Sequence, residues 1–139
     1  MRFIQSYLGK TAEQITKDDI EEFIAKKFEE SKNLDYKQID ILSDAKKLCR
    51  HICAFANSEG GLLFLDVSEQ EQSNGIYPDK ITWGASSYTK EQLGNISPHL
   101  DLDILPIRKS QNDDSVIFLI EVPRSNKQSR SQSTTRRRL

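Results

Sequence analysis

The stretch ICAFANSEGGLLFLDV, residues 52–67, predicts a helix that runs directly into a buried strand. Asn57 stands where the helical pattern ends. Gly60 and Gly61 are expected to supply the positive φ angles and the close backbone approach that such a junction requires. The nearly continuous apolar run Leu62–Val67 is typical of a central strand covered on both faces. The stretch therefore predicts a tight helix-to-strand junction, where backbone polar groups are available to a ligand.

Two helices and a short extended segment are predicted around this strand. Residues 16–28 carry an apolar stripe at helical spacing, with Thr16 as the N-cap. A second helix is predicted from its cap, Ser43, to Asn57, with a wide apolar face that should be mostly buried. Between the helices, Leu34–Lys37 alternates apolar and charged residues, which indicates an extended segment with an acid beside a base on one face.

The rest of the chain indicates a small sheet. Ser68–Asp79 is predicted as a polar loop and Thr89–Ile96 as a short helix. Leu102–Arg108 and Val116–Val122 are predicted as an antiparallel hairpin joined by a turn at residues 110–114. The expected fold is α+β, a single-domain sandwich of about two long helices and a mixed or antiparallel sheet of four or more strands.

Composition favours one domain and separates an acidic body from a basic end. The chain of 139 residues, 36% hydrophobic and 29% charged, is long enough for one core. Residues 1–123 hold all 21 acidic residues and 14 basic ones, whereas the last sixteen hold six basic residues and no acid. We predict a domain over residues 1–126 and a basic polar tail over 127–139, which is a solubilising segment, a truncated end or an expression remnant.

Neither a membrane segment nor a cysteine-based metal site is expected. No apolar run approaches the eighteen or so residues of a membrane span, and the N-terminus lacks a signal-peptide core, so a cytoplasmic protein is predicted. Cys49 and Cys53 lie on one predicted helix face, which favours reduced core thiols over a disulfide. His51 projects to another face, and a zinc site would need two further ligands.

Four segments follow one another in a recognisable order: ESKNLDYK at residues 30–37, AFANSEGG at 54–61, LLFLDV at 62–67 and VIFLIEVPRS at 116–125. This order resembles the Schlafen AlbA-like domain over roughly residues 16–126, and AFAN-x-x-GG is its most specific part. The resemblance implies an α+β domain described as DNA-binding and formerly as a divergent ATPase. Such domains occur in bacterial transcription regulators and in Schlafen proteins, some of which resemble metal-dependent endoribonucleases.

The resemblance also implies a site of three carboxylates. Glu30 and Asp35 match the two motif acids, with Asp35 replacing the commoner glutamate, and the third acid falls on Glu69 or, as a substitute, on Asp66. Mg²⁺ or Mn²⁺ held by such acids neutralises phosphodiester charge and activates water, with Lys37 in support. The alternative is that the acids are solvated and that Asp35 and Lys37 form an exposed ion pair of little energetic weight.

A regulatory nucleic-acid-binding module with DNA or RNA as partner is the preferred function. Such a module would use phosphate contacts, which position a protein without reading sequence. The predicted contact residues are Lys37, Asn57, Gly60, Gly61, Arg108, Lys109 and Arg124. The alternatives are a metal-dependent endoribonuclease of the Schlafen type and a protein-interaction or homodimerisation domain with an exposed strand edge. ATPase activity is not expected, because the chain has no Gly-x-x-x-x-Gly-Lys-Ser/Thr loop.

Overall fold

The computed structural model describes residues 2–86, 89, 93 and 101–125. The helices of these residues are α1 Arg2–Leu8, α2 Lys17–Ala25 and α3 Ala45–Ala56. The strands are β1 Leu34–Lys37, β2 Gly61–Leu65, β3 Val67–Gln72, β4 Gly75–Ile81, β5 Ala85–Ser86, β6 Asp103–Ser110 and β7 Asp113–Val122. None of the helices in the described ranges is both long and apolar enough to cross a membrane.

The strands form one mixed sheet and one separate hairpin, which confirms the predicted α+β class. Strand β2 is central: β1 pairs with it in parallel and β7 pairs with it in antiparallel fashion. Helix α3 lies in the crossover between β1 and β2, as parallel pairing requires. Strand β6 pairs with β7, which confirms the predicted C-terminal hairpin. The predicted helix at residues 89–96, apart from Thr89 and Leu93, and the tail at 127–139 lie outside the described residues.

Helices cover both faces of the sheet, so all five residues of β2 are buried. On one face, α1 and α2 pack through Phe3, Ile4, Ile20, Phe23 and Ile24 against Leu34, Tyr36, Phe64 and Leu119. On the other face, α3 packs through Leu48, Ile52 and Phe55 against Leu63, Leu65, Phe118 and Ile120. The prediction of a central strand covered on both sides is confirmed, although the strand ends at Leu65 rather than at Val67.

Helix α2 begins where predicted and ends earlier. Thr16 accepts a hydrogen bond from the Asp19 amide, and the Asp19 carboxylate accepts one from the Thr16 amide, so the two residues form a capping box. The helix ends at Ala25 rather than at Phe28. Lys27 adopts a φ of 54°, which is outside the right-handed helical region and ends the helical hydrogen bonding.

Helix α3 differs from the prediction at its start and in its cysteines. Its N-cap is Asp44, whose carboxylate accepts a hydrogen bond from the Lys47 amide, and not Ser43, whose hydroxyl donates to the Asp40 carbonyl. Cys49 is half-buried and Cys53 is exposed, so the expectation of core thiols is wrong. Neither cysteine is in a disulfide. The residues that α3 buries recur at helical spacing from Leu48 onward, and the two cysteines lie beside that stripe.

The predicted polar loop at Ser68–Asp79 is wrong, because this segment forms the hairpin of β3 and β4. Its residues are mostly polar and exposed, so the segment lacks the apolar alternation that marks a strand. Pairing between the two strands satisfies the backbone groups, and β4 packs against α2. The turn occurs at Ser73-Asn74, directly before Gly75.

The junction after α3 is as tight as the sequence predicts. Asn57 is the C-cap, and Gly60 has a φ of +90°. Gly61 has no positive φ and is the first residue of β2, so only one of the two glycines supplies the left-handed conformation. A Cβ on Gly61 would lie 2.7 Å from the Phe55 ring, which explains the second glycine by close packing.

Replacing Gly60 by alanine is expected to lower the free energy of unfolding by about 3 kcal/mol, because backbone strain and overpacking add. The new Cβ would lie 2.5 Å from the Val122 carbonyl oxygen. Gly9→Ala is the matched control, since Gly9 has a φ of +73° and an open environment. The control should lose only about 1 kcal/mol. Urea unfolding of both variants measures the difference, and equal losses would contradict the steric part of the argument.

Candidate functional site

Three acids from separate segments converge at one end of the sheet. Glu30 precedes β1, Asp35 lies in β1 and Glu69 lies in β3. One carboxylate oxygen from each lies within 4.8 Å of the others. We call these three residues the acid cluster. The structure thus brings together the three acids that the resemblance to the Schlafen domain implied.

Strand β1 holds two of the acids through the residue between Asp35 and Lys37. The Tyr36 amide lies 2.8 Å from Asp35 Oδ1 and 3.4 Å from Glu30 Oε2, and it donates to both. The Tyr36 side chain points to the opposite face, where it is fully buried and its hydroxyl donates to the Phe28 carbonyl at 2.7 Å. The Glu30 amide donates to the Ile76 carbonyl of β4 at 2.8 Å. Alternation along β1 therefore directs its acid and lysine to the face of the sheet that α3 covers, opposite the Tyr36 ring.

Glu69 reaches the cluster because the chain changes direction between β2 and β3. Asp66 has a φ of 101°, and the register of β3 shifts between Val67 and Glu69. Such irregularities change the direction in which the following side chains point. Asp66 itself does not replace Glu69 in the cluster. Its carboxylate is fully buried and accepts hydrogen bonds from the Thr82 hydroxyl and from the Ala85 amide, the latter at 2.8 Å.

Lys37 is the positively charged residue that contacts the acid cluster. Its Nζ is 2.8 Å from Glu69 Oε1 and 3.3 Å from Asp35 Oδ1, and only 16% of its side chain is exposed. Burial lowers the pKa of Lys37, but the hydrogen bond to Glu69 and the charges of the acids outweigh burial and raise it. Lys37 therefore stays protonated. The alternative of an exposed ion pair between Asp35 and Lys37 is wrong, since both side chains are largely buried.

Glu30 carries the strongest electrostatic perturbation of the cluster. Burial, the hydrogen bond with Asp35, and the negative charges of Asp35 and Glu69 raise the pKa of Glu30 to about 9, whereas Lys37 opposes the rise. At neutral pH and without another cation, Glu30 holds a proton. The cluster therefore has more negative charge than Lys37 alone balances.

Sequence reasoning missed His51, which borders the cluster from α3. Its Nδ1 lies 3.3 Å from Asp35 Oδ2, and 34% of its side chain is exposed. Burial lowers the pKa of His51 and the positive charges of Lys37 and Lys47 lower it further, while Asp35 opposes them. Burial therefore favours the neutral form of His51, which contacts Asp35 from the side of α3. The available signal was the position of His51 one turn after Lys47 on the same helix.

A cleft of about 310 Å³ opens beside the acid cluster. Lys37 and Glu69 line one side of it, and Gln38, Asp40 and Lys47 are among the residues that line the rest. The cleft therefore shares Glu69 with the acid cluster, and it is also lined by Lys37, which contacts Asp35 and Glu69.

The predicted phosphate contacts do not come together. Lys37 pairs with Leu65 at the carboxyl end of β2, whereas Gly61 pairs with Val122 at the other end, about 13 Å along the strand. Asn57, Gly60 and Gly61 lie at that second end. Arg124 is there too, since its amide nitrogen would be 3.0 Å from a Cβ on Gly60.

Arg108 and Lys109 lie in a third place, near the turn between β6 and β7. An Arg108 guanidinium nitrogen donates to the carbonyls of Gln111 and Asp113, so this side chain holds its own turn. Lys109 Nζ lies 5.8 Å from the centroid of the Trp83 ring. Trp83 is half-buried and packs against the core. Of the predicted basic contacts, Lys37 therefore lies at the acid cluster, whereas Arg108, Lys109 and Arg124 lie in two other places.

Comparisons with known proteins agree with this architecture. The family model described as "Schlafen, AlbA_2" matches residues 30–138. One similar solved structure is the N-terminal domain of a RecG-related protein, named for an ATP-dependent DNA helicase, from Nitrosomonas europaea. It shares 16% identity with a TM-score of 0.59 and covers 87% of this chain and 78% of its own. At this identity the likeness shows the fold alone. No curated protein matches the chain.

Proposed function

The chain belongs to the Schlafen AlbA_2 family, and on that premise we propose that it is a nucleic-acid-binding domain that engages the phosphate backbone through a divalent cation. The convergence of Glu30, Asp35 and Glu69 beside Lys37 carries the proposal. The family supports an association with nucleic acid, as does the name of the RecG-related neighbour. In this proposal the phosphate backbone of the nucleic acid is bound at the acid cluster.

The residues present fit Mg²⁺ or Mn²⁺. Carboxylate oxygens are the hard ligands that these cations take. Two ligand oxygens on one Mg²⁺ ion lie at most about 4.2 Å apart. The oxygens of the acid cluster, within 4.8 Å of one another, therefore need only a small side-chain adjustment. The raised pKa of Glu30 also supports a cation site, because it shows that positive charge is favoured at this position.

Each residue of the site has a distinct task in this proposal. Glu30, Asp35 and Glu69 bind the cation, which when bound neutralises phosphate charge and lowers the pKa of coordinated water. Lys37, held by Glu69 and Asp35, keeps a positive charge where a phosphate oxygen arrives. His51 orients Asp35 from the side of α3, as residues behind a metal ligand do.

A metal-dependent endonuclease is the second candidate function, favoured by the position of Lys37. A lysine inside a carboxylate cluster is poised to stabilise the charge that develops on a phosphodiester during hydrolysis. A domain that only positions a longer regulatory protein on nucleic acid needs no such arrangement. Binding without cleavage is the outcome that favours the regulatory role.

The test is a gel that reads binding and cleavage together. Labelled tRNA, single-stranded DNA and duplex DNA are incubated with the protein in Mn²⁺ or in EDTA. We expect a mobility shift that is stronger in Mn²⁺ and weakens with salt, because phosphate contacts release counterions. Shortened products in Mn²⁺ alone would support the nuclease. Equal binding in Mn²⁺ and in EDTA would show that the cation is not needed for binding. The absence of binding in both would contradict the proposed function.

A further inference from the structure

The cleft beside the acid cluster has the position and chemistry of a substrate subsite. We propose that it holds one unpaired nucleotide next to the phosphate at the acid cluster, so that the domain selects single-stranded over duplex nucleic acid. The inference rests on the proposed function and adds the class of substrate to it. Continuity carries it, because Glu69 belongs to the acid cluster and lines the cleft, as does Lys37, which contacts Asp35 and Glu69. A strand whose phosphate meets the acid cluster can place its neighbouring nucleotide in this cleft.

Two lysines, Lys37 and Lys47, and three acids, Asp40, Asp44 and Glu69, line the cleft, so its charges suit one nucleotide only when a cation at the acid cluster offsets the acids. Lys47 is exposed at its rim, and within the described part of the chain its ammonium group forms no ion pair, so it is available to a phosphate. The side chains of Gln38 and Asp40 are also exposed. Their oxygens accept hydrogen bonds from sugar hydroxyls and base amino groups, and the Gln38 amide donates to base acceptors. Ile41 adds an apolar surface to the wall.

The size of the cleft favours an unpaired nucleotide over a duplex. At about 310 Å³ it is at the lower end of the range of ligand pockets, which suits one nucleotide and not a base pair with both backbones. The acidic body also disfavours wrapping of a duplex, whose affinity comes from many phosphate contacts at once. Unpaired bases are splayed freely into such pockets, whereas a paired base must first be unstacked at a cost of a few kcal/mol.

Two adjacent lysines of α3 provide a matched test. Lys47 lines the cleft, and Lys46, equally exposed and one residue earlier, does not. A fluorescein-labelled single strand of eight nucleotides is titrated in Ca²⁺ buffer, and its affinity is measured over a range of salt concentrations. Lys47→Ala should weaken binding about tenfold and reduce the salt slope by about 0.7, the value of one phosphate contact on a single strand. Lys46→Ala should change affinity less than about twofold.

A second variant separates the cleft from the acid cluster. Gln38 is exposed, so Gln38→Trp should leave the fold intact while filling the cleft. We expect it to lose single-strand binding and to keep the wild-type affinity for Mn²⁺ in calorimetry. Equal losses in the two lysine variants, or wild-type affinity for the duplex as high as for the single strand, would overturn the inference alone. A wild-type protein that binds no strand would overturn the proposed function as well.

Discussion

Asp35→Asn is expected to weaken Mn²⁺ binding at least about 100-fold while leaving the fold intact. Asp35 is the member of the acid cluster with the most connections, since its two oxygens contact Lys37 and His51 and one also accepts from the Tyr36 amide. Asparagine keeps the volume and one oxygen but removes the negative charge that attracts the cation. Calorimetry with Mn²⁺ measures the loss, and any metal-dependent binding or cleavage of nucleic acid should fall with it.

The fold should tolerate this change because asparagine keeps the shape of the side chain and an oxygen that accepts from the Tyr36 amide. Lys37 keeps Glu69 as its partner at 2.8 Å, so no buried cation is left without a counter-charge. Glu71→Gln is the matched control. Glu71 lies two residues after Glu69 on the same strand, it is exposed, and its removal changes the net charge equally. If Asp35→Asn bound Mn²⁺ as tightly as Glu71→Gln does, the acid cluster would not be the metal site.

Mn²⁺ affinity is expected to rise about tenfold for each pH unit between about pH 6 and pH 8. Glu30, with a pKa of about 9, holds a proton throughout this range, and the cation must displace it. One proton is therefore released for each ion bound. Calorimetry in two buffers with different ionisation enthalpies counts that proton, and titrations at several pH values give the slope. An affinity that stays constant from pH 6 to pH 8 would contradict the proton-linked site.

The same shift predicts how stability without metal depends on pH. The pKa of Glu30 is about 9 in the folded chain, against an ordinary value of 4.5, so between these values the folded state binds more protons than the unfolded state. The free energy of unfolding in EDTA should then fall as pH rises from about 5 to 9, because in this range the unfolded state loses the Glu30 proton and the folded state keeps it. Glu30→Gln resembles the protonated acid and should flatten the dependence. Added Mn²⁺ should restore more stability to the wild type at high pH than at low pH.

Local patterns were sufficient for several elements of the fold. The capping box at Thr16, the C-cap at Asn57 and the apolar strand after Gly61 depend on residues close in sequence, and the structure has all three. Two elements, the β3–β4 hairpin and helix α1, were not predicted from the sequence. The β3–β4 hairpin is held by pairing that its polar sequence does not reveal. Helix α1 has only seven residues, and tertiary contacts hold it: Phe3 and Ile4 are buried, and the Ile4 amide donates to Glu121 at 3.0 Å.

The family, the α+β class and the tight junction between α3 and β2 follow from the sequence pattern alone, because spacing and local backbone preference act over a few residues. The sequence pattern does not show that Glu69, and not Asp66, joins Glu30 and Asp35. This depends on the positive φ of Asp66 and on the register shift before Glu69, which together redirect the chain. Tertiary packing likewise brings His51 to the site and leaves Arg108, Lys109 and Arg124 away from it. Convergence depends on distances between segments that are far apart in the chain, and a pattern along one chain does not contain those distances.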